Sequence, residues 1–76
     1  MGSLSNITPF QFRMFLEYKG LRLLRIKGGH EIWGRDDLVR PVIIQTHKKP
    51  VPEFIIRNNL RIIGSGRKEL LDFLGK

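Results

Sequence analysis

The chain contains no cysteine. Disulfides and thiolate metal sites are therefore excluded, and the composition fits a reducing compartment. No stretch is long and apolar enough to span a bilayer. The amino terminus lacks the basic region and apolar core of a signal peptide. A cytoplasmic protein without membrane association is the expectation. There are only two histidines. A zinc site usually takes three or four protein ligands, so no metal or cofactor is expected. Gly64-Ser65-Gly66 lacks the spacing and lysine of a P-loop, and no paired carboxylates suit two-metal catalysis. Asp36-Asp37 reads as a turn. Met1-Gly2 opens like a myristoylation signal, but Asn6 stands where that signal wants Ser or Thr. Asn6-Ile7-Thr8 matches a glycosylation sequon that has no use without secretion.

Acidic residues are scarce as well. Seven Asp and Glu face fourteen Lys and Arg, which gives a net charge of +7 in 76 residues. The basic residues are spread along the chain, with Arg22, Arg25, Lys27, Arg35, Arg40, Lys48 and Lys49 in its middle half. This charge implies a negative partner: nucleic acid, an acidic protein or an anionic membrane. The membrane fits least, because no helix pairs a basic face with an uninterrupted apolar one. The length makes one domain, residues 1–76, with a core near the lower limit of what folds unaided.

Residues 1–7 read as a loose lead-in. Thr8 suits an N-cap, Pro9 the first helical position, and Gln11 completes a capping box. Phe12, Phe15 and Leu16 recur at helical spacing, so a helix is expected over about 9–19, ended by Gly20. Strands are expected over 21–27, 30–35 and 41–46, with Gly28-Gly29 as a hairpin turn. Lys48-Lys49-Pro50 forms a basic loop. A second helix opens at Pro52 and ends at Gly64, with Ile56, Leu60 and Ile63 as its apolar stripe. Ser65 then caps a short last helix. The fold class is α+β, in the order α-β-β-β-α-α. A three-stranded antiparallel sheet with helices on one face buries this pattern.

The segment Lys27-Gly28-Gly29-His30-Glu31-Ile32-Trp33 carries the strongest chemical signal. Histidine alone has an unperturbed pKa that lets it accept and donate protons near neutral pH. The glycines leave bare backbone that a polyanion can approach. A neutral imidazole can take the proton of a ribose 2′-hydroxyl, or its protonated form can supply one to the leaving 5′-oxygen. Lysines such as Lys27, Lys48 and Lys49 can bind phosphate and stabilise charge on it. On pattern alone, a lone histidine is more often a structural residue. His47, at the end of the third strand, offers a second imidazole or a backbone-bonded strand end. Arg57 and Arg61, four apart on one helix face, are further phosphate contacts or the solvated side of that helix. Alternation puts either Ile32 or Trp33 on the outer face, unless a bulge resets the register.

In order along the chain, Gly28-Gly29-His30-Glu31-Ile32-Trp33, Arg40-Pro41-Val42-Ile43-Ile44, Thr46-His47-Lys48-Lys49, Val51-Pro52-Glu53-Phe54-Ile55-Ile56-Arg57 and Ile62-Ile63-Gly64 form a series. This series resembles the HicA family of mRNA interferase toxins over nearly the whole length. The resemblance implies a double-stranded-RNA-binding-domain-like fold and metal-independent RNA cleavage. It implies His30 as the catalytic residue, and a HicB-type antitoxin that binds the toxin and covers its site. Gly28 and Gly29, with Lys27, Lys48 and Lys49, are the expected RNA-binding residues. Two positions depart from the family. Gly29 stands where many members have serine, and Asn59 falls at an apolar position of the second helix. The alternatives are a non-catalytic RNA-binding module, which reads shape and phosphates, and a purely protein-binding domain with an acidic partner.

Overall fold

Thr8 starts the first helix as its sequence demands. Its hydroxyl accepts from the Gln11 backbone N–H at 3.1 Å, and the Gln11 side chain accepts from the Thr8 N–H at 3.0 Å. A computed structural model describes residues 3–76 and shows the order α1 (Pro9–Tyr18), β1 (Arg22–Lys27), β2 (His30–Gly34), β3 (Val42–Gln45), α2 (Glu53–Ile63) and α3 (Arg67–Leu74). The strands form one antiparallel sheet in the order β1-β2-β3. The described residues form a small α+β fold of three strands and three helices. Among the described residues, no helix is long and apolar enough to cross a membrane.

The core joins Phe12, Phe15 and Leu16 of α1, Ile56, Leu60 and Ile63 of α2, and Leu70 and Leu71 of α3 to Trp33, Val42 and Ile44 of the sheet. Phe12 and Phe15 are fully buried, and each such side chain stabilises the fold by about 1.5–3 kcal/mol. Val42 and Ile44 face inward while Ile43 and Gln45 are exposed, the two-residue period of a half-buried strand.

The structure departs from the sequence reading at several points. Residues 3–7 are not a loose lead-in. Leu4 and Ile7 are fully buried, and the Val51 N–H donates to the Ile7 carbonyl at 2.7 Å. In so small a domain these two apolar side chains are too valuable to leave in water. Met1 and Gly2, which only open like a myristoylation signal, lie outside the described residues. The expected strand over 21–27 is not regular, because Leu23-Leu24 breaks its alternation and β1 carries a bulge between Leu23 and Arg25. Ser65 does not cap α3. Gly66 holds that position, and the Ser65 hydroxyl bonds the Glu69 carboxylate instead. Asn59 stands where the resemblance favours an apolar side chain. It is buried, and its amide donates to the Ile43 carbonyl at 3.2 Å, fastening α2 to β3.

Candidate active site

His30 is the first residue after the β1–β2 turn. It faces Lys27 across one ladder and Gln45 across the other. Gly28 has φ of 60°, while Gly29 has no positive φ. This is the pattern of a type II′ hairpin turn, with glycine at its first central position. The turn is tied to β3 by the Thr46 N–H, which donates to the Gly29 carbonyl at 2.8 Å.

Alternation along β2 divides its residues between two environments. Glu31 and Trp33 turn inward and are buried, whereas His30 is exposed on the opposite face. Trp33 is therefore a core residue and does not offer a stacking surface. Ile32 shares the outer face with His30 and lines a separate hollow together with Leu24 and Arg25.

Glu31 is the unexpected core member, with 3% of its surface exposed. A bare carboxylate there would be costly. Arg13 of α1 offsets that cost. Its Nε donates to both carboxylate oxygens at 2.8 and 3.0 Å, and its Nη2 donates to Oε2 at 2.6 Å. The Trp33 indole N–H donates to Oε1 at 3.1 Å. Arg13 first, and then the indole, hold the Glu31 carboxyl below the usual carboxylate range against the opposing effect of burial. Beside His30, this network pins β2 to α1.

An open hollow on the outer side is lined by Gly29, His30, Gln45, His47, Lys48 and Lys49. The topology thus brings together both histidines, which are far apart in sequence, with two lysines and bare glycine backbone. Pairing of His30 with Gln45 explains it, because His47 and the lysines follow directly as the chain leaves β3. Lys27 is the cross-strand partner of His30 but does not line this hollow. Gly28 shapes the turn without lining it. Arg57 and Arg61 are not brought to His30. Arg57 lies 3.7 Å from Glu53, and Arg61 borders a separate groove near Asp37 and Leu38. Asp36 and Asp37 form a turn, with Asp37 bonded to Arg35 at 2.6 Å. Among the described residues, no three His, Cys, Asp or Glu side chains group as metal ligands.

Three residues near His30 were not singled out in the linear reading: Ile43, Gln45 and Phe54. They line a second hollow that also contains His30. Alternation in β3 puts Ile43 and Gln45 outside once Ile44 is assigned to the core, so that signal was available. Phe54 reaches the site only through the packing of α2 on β3.

No family model, curated protein or solved structure matches the chain.

Proposed function

We propose that this protein is an endoribonuclease of the HicA mRNA interferase type, acting in the cytoplasm on messenger RNA with His30 in proton transfer. The supporting observation is the exposed His30 at a hollow that also holds His47, Lys48, Lys49 and the bare backbone of Gly29. One imidazole takes the proton of a ribose 2′-hydroxyl. The 2′-oxygen bonds to phosphorus as the bond to the 5′-oxygen breaks. A protonated imidazole then gives its proton to that oxygen, leaving a 2′,3′-cyclic phosphate and a 5′-hydroxyl. His30 takes one of these roles, and His47 is the group available for the other. Lys48 and Lys49 offset the charge gathering on the phosphoryl oxygens.

The order α1-β1-β2-β3-α2 supports a double-stranded-RNA-binding-domain-like fold for this enzyme. A HicB-type antitoxin is the proposed protein partner. Phe10, Met14 and Tyr18 support a protein contact, since they form an exposed apolar stripe along α1. The net charge of +7 favours an acidic partner.

The test is cleavage of RNA in EDTA by the parent protein and by His30→Ala, with RNA binding measured for both. Cleavage by the parent alone, with binding kept by the variant, supports the reading. RNA left intact by folded parent protein sinks it. Equal binding without cleavage by either protein moves the assignment to a non-catalytic RNA-binding module.

A further inference from the structure

His30 borders two hollows of opposite character. One is cationic, with His47, Lys48 and Lys49. The other is largely apolar and is lined by Ile43, Pro52, Phe54 and Ile55. His30, Gln45 and Lys48 border both. We propose that the apolar hollow is a base-stacking subsite, in which the Phe54 ring holds one unpaired nucleobase of a single RNA strand whose adjoining phosphate lies at His30 and Lys48. The inference rests on the ribonuclease reading for its placement of the phosphate.

Phe54 is 58% exposed at the first turn of α2. Burying such a ring is ordinarily favourable, so its display beside Lys48 and His30 asks for a ligand with a flat apolar face and a negative charge. A nucleotide has both. Sites for single-stranded nucleic acid combine a cationic track for the backbone with aromatic rings on which bases stack. The hollow measures about 530 Å³, within the range of small-ligand pockets, about 300–1,000 Å³. Gln45, opposite His30 on the sheet, brings an amide that can both donate to and accept from a base edge. A paired base within an A-form duplex is already stacked on its neighbours and cannot lie on the ring. The subsite therefore selects single strands, and it fixes the nucleotide beside the reacting phosphate.

The experiment measures binding of single-stranded 2′-O-methyl RNA, which lacks the attacking hydroxyl, to the parent protein, Phe54→Ala and Phe54→Tyr. Polyphosphate serves as a probe with charge but no bases, and a 2′-O-methyl duplex as a probe with paired bases. Loss of the ring should weaken single-strand binding by about 5- to 150-fold, the range for one stacked base. Phe54→Tyr should restore it, polyphosphate should bind all three proteins alike, and the duplex should bind more weakly than the single strand. Phe54→Ala that binds the single strand as tightly as the parent overturns the subsite. So does a loss that extends equally to polyphosphate, or a duplex bound as tightly as the single strand. Cleavage of ordinary RNA separates this proposal from the enzymatic one. Cleavage with no effect of Phe54 on binding sinks the subsite and leaves the ribonuclease. Phe54-dependent binding by a protein that never cleaves keeps the subsite and removes the ribonuclease.

Discussion

Arg13 holds both carboxylate oxygens of Glu31 at 2.6–3.0 Å, on the inner side of the strand whose outer side presents His30. The pair thus joins α1 to the residue next to the proposed catalytic histidine. Removing one partner of a fully buried pair costs about 3–5 kcal/mol. The Arg13 side chain is 29% exposed, so Arg13→Ala should cost less, about 2–3 kcal/mol. Urea denaturation of parent and variant measures this. A loss no larger than that of a surface ion pair would show that the contact adds little.

Acid should weaken the fold through the same pair. Arg13 lowers the Glu31 pKa in the folded protein relative to its ordinary value. The unfolded chain therefore binds more protons than the folded one between the two values, and stability falls as pH drops. The contribution is complete above the ordinary carboxylate range and is lost as pH falls through the folded value. Asp37 and Glu69 shift in the same direction but are more exposed, so they add little. Urea midpoints measured down through the carboxylate range should fall steeply for the parent and less steeply for Arg13→Ala. Parallel curves would assign the acid sensitivity elsewhere.

Two adjacent glycines should respond differently to a methyl group. Gly28 has a φ of 60°, while a Cβ on either glycine would meet no atom within 4 Å. Gly28→Ala should therefore cost about 1–2 kcal/mol from backbone conformation alone. Gly29→Ala should be neutral or stabilising by up to about 1 kcal/mol, since it narrows the unfolded ensemble. Thermal melts of the two variants decide this, and equal losses would refute the turn assignment.

If His30 and His47 divide the acid and base roles, the rate of RNA cleavage should rise and then fall with pH. His47→Ala should slow cleavage by about 10²–10⁴-fold, the usual contribution of a positioned proton donor or acceptor, and remove one limb of the profile. A variant with both limbs intact would make His47 a bystander.

Asn59→Ala should destabilise the protein by about 1–2 kcal/mol, because it leaves the Ile43 carbonyl without its side-chain donor. Hydrogen exchange along β3 should accelerate together with the loss of stability. Unchanged exchange there would show that Asn59 does not hold this edge.

The succession of elements was legible in the sequence because caps, glycine stops and the Val- and Ile-rich run are local signals. Thr8, Gly20, Gly64 and the Gly28-Gly29 turn all mark boundaries near the positions the periodicity suggests. The register of β2 was not legible. Glu31 looks like a solvent-facing charge until Arg13, eighteen residues away in sequence, is placed beside it. With that pair in position, Trp33 points inward and His30 outward. The site was half legible. His30, His47, Lys48 and Lys49 stand out by chemistry, but their meeting depends on the pairing of β2 with β3. Phe54 is an ordinary helical aromatic in the sequence, and only the docking of α2 brings it to His30. Leu4 and Ile7 lie among polar residues too short of periodicity to announce their burial.

Strand β2 turns Glu31 and Trp33 to the core side and His30 and Ile32 to the other, where His30 meets the proposed site. One inserted or deleted residue between Gly29 and Trp33 would exchange the two sets. His30 would be driven into the apolar interior, and Glu31 would lose Arg13 and stand among the lysines. Change in length here would thus destroy stability and chemistry together. Diversification of this surface must therefore proceed by substitution at positions such as 43, 45 and 54, with the hairpin's length held fixed.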